Sequence, residues 1–222
     1  VSGGAIAGTA DAAAIDFVAD QLSLQAQAGI ADIDIAVNEL LSVHTAIGNV
    51  VLKDFDGEGE TGTGLIVTQV EATDGAVELT SQASMTVHSA IAGGADAILR
   101  LQSLNGNIEI VDPQTSQVDA LQAGGGFALV AANRIVSYDF FQGPKLIEYR
   151  AGGGFDFDFP LNLSADSIVI ESGETISIDG SLSATDRVEL VSASNVYVGG
   201  DIVGLNGPLG ELVISATGEN VV

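Results

Sequence analysis

The sequence predicts an all-β protein: a right-handed parallel β-helix, or solenoid, with coils of about 20–22 residues. One spacing of apolar residues carries this prediction and occurs four times: apolar, any, apolar, five residues, apolar, any, apolar, three residues, apolar. Copies one and two are 44 residues apart and copies three and four are 20 apart, as two coils and one coil would require. In chain order the copies are Ile33, Ile35, Leu41, Val43 and Ile47; Val77, Leu79, Met85, Val87 and Ile91; Ile168, Ile170, Ile176, Ile178 and Leu182; Val188, Leu190, Val196, Val198 and Ile202.

The composition suits an interior made of stacked strands. Hydrophobic residues make up 46% of the 222 residues but aromatic residues only 5%, so Val, Ile, Leu and Ala must fill the core. β-Branched side chains pack well on a pleated surface. Residues two apart lie on the same face of a strand, so each apolar pair sends two side chains inward. The gaps of five and three residues then form the corners of a coil.

Residues 1–222 are expected to form a single β-helix domain of about ten coils, roughly 50 Å long at the spacing between strands. An antiparallel sandwich is the alternative, because its strands also recur at short intervals. The pairs Asn105-Gly106 and Asn206-Gly207 fit hairpin turns or β-helix corners equally well. The spacing with a period of one coil favours the β-helix.

A polar insertion at residues 53–63 interrupts the spacing and contains four carboxylates. Their oxygens are the type of ligand that calcium prefers, and the glycines between them allow tight wrapping. The predicted metal ligands are therefore Asp54, Asp56, Glu58 and Glu60, with calcium as the ion. The segment does not follow the EF-hand pattern, and a plain solvated loop is the other interpretation.

A second interruption, at residues 133–160, contains seven of the eleven aromatic residues and three of the six basic ones. Two β-like stretches, 135–141 and 145–150, flank Gln142-Gly143-Pro144, a pattern that predicts an inserted β-hairpin. Aromatic residues and arginine are enriched at the cores of interfaces. The predicted partner-binding residues are Tyr138, Phe140, Phe141, Tyr149 and Arg150. Alternatively, these rings cover an open flank of the coil.

The charge excludes several classes of partner. Thirty acidic and six basic residues give a net charge of -24, which repels DNA, RNA and anionic lipid. No run of 18 apolar residues occurs, so insertion into a membrane is not predicted. The absence of cysteine rules out disulfides and thiolate metal sites and is consistent with export.

The residues give little support for catalysis. His44 and His88 occupy equivalent places in two copies, next to inward valines, so both are expected to point outward. Asp156 and Asp158, on one strand face, are the best candidates for a pair of general acid and base. The sequence motifs of pectinolytic hydrolases do not occur. The chain is therefore predicted not to be an enzyme.

Residues 74–110 and 185–222 resemble the repeats of filamentous haemagglutinin-like large exoproteins, and the likeness extends over most of 30–125 and 161–222. In that family such repeats form a right-handed β-helix without catalytic residues, in the stalk of secreted or surface-held bacterial adhesins. The resemblance thus implies a non-enzymatic structural or adhesive module at the bacterial cell surface or outside the cell. Alternatives are a carbohydrate-active β-helical enzyme and a carbohydrate-binding surface domain.

The expected partners are other copies or segments of the same protein, and glycans or proteins of a host or neighbouring cell. Neither end of the sequence shows a polar cap or a capping helix, and unpaired strand edges are adhesive. We therefore expect coils to stack end to end into a filament.

Overall fold

The fold is a parallel β-solenoid of about eight turns. A computed structural model describes residues 1–8, 14–55, 64–111, 120–137, 145–157 and 162–218. These residues form 22 strands and no helix, and every strand pair is parallel. The predicted fold class is confirmed, and right-handedness is the general rule for parallel crossovers. Within these ranges no helix is long and apolar enough to cross a membrane.

The strands are mostly short. In chain order they are β1 (Ile6–Ala7), β2 (Phe17–Ala26), β3 (Ile30–Thr45), β4 (Val50–Asp54), β5 (Leu65–Val67), β6 (Val70–Ala72), β7 (Val77–Ser81), β8 (Met85–Val87), β9 (Ala90–Ala92), β10 (Ile98–Ser103), β11 (Ile108–Ile110), β12 (Leu121–Ala123), β13 (Gly126–Ala131), β14 (Ile135–Ser137), β15 (Leu146–Ala151), β16 (Phe155–Phe157), β17 (Leu163–Ser172), β18 (Ile176–Ile178), β19 (Leu182–Ser192), β20 (Val196–Val198), β21 (Ile202–Gly204) and β22 (Glu211–Ala216).

Successive strands visit three faces of the coil in a fixed order, A, B and C. Face A contains β1, residues 30–35 of β3, β4, β7, β10, β13, β15, residues 167–172 of β17, residues 187–192 of β19, and β22. Face B contains residues 17–22 of β2, 39–40 of β3, β5, β8, β11, β14 and β16, and β18 and β20 take the equivalent place in their coils. Face C contains residues 24–26 of β2, 43–45 of β3, β6, β9, β12, residues 163–165 of β17, residues 182–184 of β19, and β21.

The core is a set of inward ladders in which equivalent residues of successive coils stack on one another. Alternate residues of each strand point inward, so aliphatic side chains repeat at the same height in every coil. The central ladder of face A consists of Leu52, Leu79, Leu101, Leu129, Tyr149, Ile170 and Leu190, all fully or almost fully buried.

Copies three and four of the apolar spacing are confirmed residue by residue. All five predicted pairs stack: Ile168 on Val188, Ile170 on Leu190, Ile176 on Val196, Ile178 on Val198 and Leu182 on Ile202. The predicted register between copies one and two is wrong. Ile33 lies in the ladder of Leu79 rather than Val77, and Leu41 is 38% exposed. The register shifts between Ile30 and Ile33, where Asp32 has a φ of 55°, so this coil contains an extra residue.

The hairpin predicted within residues 133–160 is wrong for the parts that the structure describes. Strand β14 pairs with β11 and β16 on face B, whereas β15 pairs with β13 and β17 on face A. The two strands are therefore consecutive parts of one coil. Their apolar alternation continues the inward ladders, which bury more surface than an isolated hairpin could. Residues 138–144 lie outside the described residues.

Coil length explains where the repeat is interrupted. Leu129, Tyr149, Ile170 and Leu190 stack at intervals of 20–21 residues, as predicted, so residues 133–160 are not an insertion into the coil rhythm. The intervals from Leu52 to Leu79 and from Leu101 to Leu129 are longer. They contain residues 56–63 and 112–119, which lie outside the described residues. The first extra segment was predicted, and the second was not.

A buried serine ends the face A strand in several coils. Ser192 Oγ donates a hydrogen bond to the carbonyl of Glu174 (2.7 Å) and accepts one from the N–H of Ser194 (2.9 Å). Ser103 makes the same two kinds of contact, with the carbonyl of Ala83 and the N–H of Gly106. Such bonds satisfy backbone groups where the chain leaves one sheet and turns to the next.

Candidate functional site

The predicted partner-binding residues do not form one surface. Tyr149 is fully buried in the face A ladder and is the largest fully buried side chain among the described residues. Its ring lies 6.5 Å from that of Phe155, centroid to centroid. The prediction that Tyr149 contacts a partner is therefore wrong, because the residue occupies an inward position. Tyr138, Phe140 and Phe141 lie outside the described residues, and their role stays a prediction.

Burial of Tyr149 also makes the fold sensitive to alkali. Burial raises the pKa of the Tyr149 phenol above its ordinary value. In the unfolded chain the phenol ionises above about pH 10, while in the folded chain it keeps its proton. The folded state then binds more protons, so a rise in pH favours unfolding.

We expect the free energy of unfolding to fall above about pH 10 by up to 1.4 kcal/mol per pH unit more in the wild-type chain than in Tyr149→Phe. Urea unfolding at a series of pH values from 8 upward measures the difference. The phenylalanine variant keeps every other ionisable group, so it isolates this one phenol. Identical pH profiles for the two proteins would contradict the prediction.

Arg150 points outward from the same strand and is held by two carboxylates. Its Nε donates to Glu148 Oε1 at 2.6 Å, and its Nη1 pairs with Glu171 on the next coil. The hydrogen bond to Glu148 is the main cause of a raised pKa at this guanidinium. The Arg150 side chain is 42% exposed. Arg150 thus lies at the surface and links two coils.

Of the four predicted calcium ligands, the structure describes only Asp54. This residue ends β4, points into the core and is 2% exposed, and it accepts a hydrogen bond from Ser81 Oγ (2.9 Å). It therefore belongs to the strand and not to an exposed loop, which corrects the predicted ligand set. Asp56, Glu58 and Glu60 lie outside the described residues. Among the described residues, no three His, Asp or Glu side chains group as a metal site.

The two histidines are not equivalent, contrary to the prediction. His44 lies on face C, where its Nε2 is 3.2 Å from Thr73 Oγ1, and His88 directly follows the face B strand β8. The extra residue in the first copy causes this difference in register. Asp156 is exposed on β16, while Asp158 lies outside the described residues. The predicted acid and base pair thus stays a prediction.

The outer side of face A from β10 to β22, here called the outer A surface, differs in charge from the rest of the molecule. It carries three of the six basic residues and only four of the thirty acidic ones. These charged residues are Arg100, Arg150, Arg187, Glu148, Glu171, Glu189 and Glu211. Between them lie the half-buried valines Val130, Val169, Val191 and Val213.

Ion pairs tie most of these charges together. Arg187 pairs with Glu189 on its own strand (3.0 Å) and with Glu211 on the next coil (3.2 Å). Arg100 has no ion pair with any residue in the described part of the chain. Because exposed pairs of this kind contribute only about 0–1 kcal/mol each, their main effect is to neutralise the surface.

A groove of about 370 Å³ runs beside the outer A surface, along the corner from face A to face B. Arg150, Glu171 and Val191 line one side of it, and small residues form its floor. The floor is bare because coils stack closely there: a Cβ on Gly173 would lie 1.7 Å from the carbonyl oxygen of Gly152. Leu104 occupies the same corner position in the β10 coil and is 39% exposed.

A comparison of the chain with protein families, curated proteins and solved structures finds no match. The arguments about function therefore depend on the fold, on the outer A surface and on the groove.

Proposed function

We propose that the chain is a non-enzymatic structural or adhesive module of a large bacterial surface or secreted protein. The observation that supports this proposal is the continuous stack of parallel coils. In a solenoid each coil contacts only its neighbours, and each adds about 4.8 Å along the axis. Such a body spans distance and presents long side walls, which suits a stalk or an adhesive surface.

The use of charged side chains also supports the proposal. Five of the six basic residues form ion pairs with carboxylates, and most of these pairs join different coils. Arg134 pairs with Glu174 (2.7 Å) two coils further along the chain, and Lys53 pairs with Asp32 (2.7 Å) on the preceding coil. Side chains that stitch coils together stabilise a stack, and catalysis would use them differently.

The resemblance to exoprotein repeats places this module outside the bacterial cell. Glycans or proteins of a host or neighbouring cell are the proposed targets, and calcium at the acidic segment is part of the proposal. Stacking of coils end to end also belongs to it. The last described strand of face A, β22, pairs only with β19 among the described strands, and Leu212, in an inward position, is 50% exposed.

A carbohydrate-binding surface is the second candidate, and the groove beside the outer A surface favours it. Grooves with a mostly apolar lining and a few polar side chains are typical ligand sites. Arg150 and Glu171 would supply the polar contacts here.

We expect the purified chain to release no reducing ends from a panel of neutral and acidic polysaccharides. A colorimetric assay of reducing ends over a day measures this, with heat-denatured chain as the control. Release that rises with the concentration of folded chain would contradict the proposal and favour a carbohydrate-active enzyme. Retention of the chain by one immobilised polysaccharide without cleavage would support the carbohydrate-binding candidate.

A further inference from the structure

We propose that two copies of the chain associate side by side through their outer A surfaces, around a two-fold axis that runs parallel to the strands. The axis lies between the β13 and β15 coils, so the β10 coil of one copy faces the β17 coil of the other. The inference rests on the proposed function in one respect, namely that copies of the same protein are partners. It adds the surface, the symmetry and the residues.

Charge selects this surface. Two chains that each carry -24 repel one another when they approach through most of their surface. The outer A surface has three basic and four acidic residues, so the repulsion between two such surfaces is small. The valines between the charges give the pair apolar area to bury. The stacking of two sheets face to face is an ordinary arrangement, with about 10 Å between them.

The shapes of the two surfaces are complementary under the proposed axis. An axis parallel to the strands reverses the order of the coils but keeps each corner at the same end of the strands. Leu104 of one copy then lies at the corner where the groove of the other copy passes Gly173. The β10 and β17 coils are three steps apart, about 14 Å, so an axis midway between them brings knob and groove together.

The charges match under the same axis. Arg100 projects from β10 and lacks an ion pair with a described residue, while Glu171 projects from β17 and is 47% exposed. The facing of β10 and β17 brings the Arg100 guanidinium of one copy within reach of the Glu171 carboxylate of the other. Because a two-fold interface is isologous, both the Leu104 contact and the Arg100 contact occur twice.

The size of the contact is sufficient for association. Eight strands, from β4 to β22, overlap under this axis, and they cover roughly 34 Å by 18 Å, or about 600 Å² on each copy. Standard interfaces bury about 800 Å² on each partner. We therefore expect a dimer with a dissociation constant in the micromolar range, about 1–50 μM.

Sedimentation velocity of the wild-type chain, from about 1 to 200 μM, tests the proposal by showing a monomer and dimer equilibrium. Leu104→Asp is expected to raise the dissociation constant at least about tenfold, since it removes a buried leucine and adds a charge at the groove. Ile47→Asp is the matched control: Ile47 is 58% exposed and follows face C, so this variant should dimerise as the wild type does. Circular dichroism confirms that the variants are folded.

A charge exchange tests the symmetry. Arg100→Glu should weaken the dimer, because it faces Glu171, and the double variant Arg100→Glu with Glu171→Arg should restore it. A wild-type chain that stays monomeric at 200 μM would overturn the proposal, as would equal effects of Leu104→Asp and Ile47→Asp or a failure of the double variant to recover. A monomer that cleaves no polysaccharide would leave the proposed function standing, whereas a dimer that cleaves one would overturn that function alone.

Discussion

Replacement of Tyr149 by alanine is expected to lower the free energy of unfolding by about 3–5 kcal/mol. Tyr149 is fully buried at the centre of the face A ladder, between Leu129 on the preceding coil and Ile170 on the following coil. Alanine would leave a cavity with the volume of a phenol ring. The strands on both sides are fixed by parallel hydrogen bonds, so they cannot close around it without breaking the ladder.

Urea unfolding, followed by circular dichroism, measures this effect through the midpoint and the slope of the transition. Tyr149→Phe is the matched control, because it keeps the ring and removes only the hydroxyl. A loss below 1 kcal/mol in the alanine variant would contradict the burial of this ring. A loss as large in the phenylalanine variant would assign the effect to the hydroxyl and not to packing.

The sequence was sufficient to predict the fold class because a solenoid repeats its inward positions. Where the coil is 20 residues long, as between Ile170 and Leu190, the apolar spacing gave the correct partner of every residue. Aliphatic pairs two residues apart define the inward side of a strand without knowledge of the neighbouring coil. The prediction failed at Asp32, because a single extra residue in a positive φ conformation leaves no clear mark in the apolar pattern.

Tyr149 shows where the prediction of the site went wrong. It was grouped with the neighbouring aromatic residues by type, whereas its position in the alternation of Ile147, Tyr149 and Ala151 decides its environment. The signal was present, since Tyr149 follows Leu129 by 20 residues, the same interval that joins Ile170 and Leu190. Aromatic residues at inward positions fill a core as leucine does.

The outer A surface and the groove could not be predicted from the spacing alone. The spacing identifies inward positions, but the corner equivalence of Leu104 and Gly173 depends on how the coils between them stack. The unmatched Arg100 becomes apparent only when the outward partners on adjacent coils are known. These features arise from contacts between residues more than 20 positions apart, which a local pattern does not contain.

Gly126→Ala is expected to lower the free energy of unfolding by about 3–5 kcal/mol, although it adds only one methyl group. Gly126 begins β13 with a φ of 140°, which side chains rarely adopt. It lies in the face A ladder between Ile98 and Leu146. A Cβ at this position would be 2.0 Å from the carbonyl oxygen of Leu146, so the backbones of two adjacent coils would have to separate.

The same urea unfolding experiment measures this loss, and Gly199→Ala is the matched control. A Cβ on Gly199 would meet its nearest atom, the Cα of Asp179, at 3.5 Å, an ordinary contact, and Gly199 is exposed. Its replacement should change stability by no more than about 0.5–1 kcal/mol, because alanine also restricts the unfolded chain. Because the strain at Gly126 acts between coils and not within one, its replacement should loosen the stack at β13 and β15 first. Equal stabilities of the two variants would show that the coils can separate there at little cost, contrary to the close stacking on which the ladder depends.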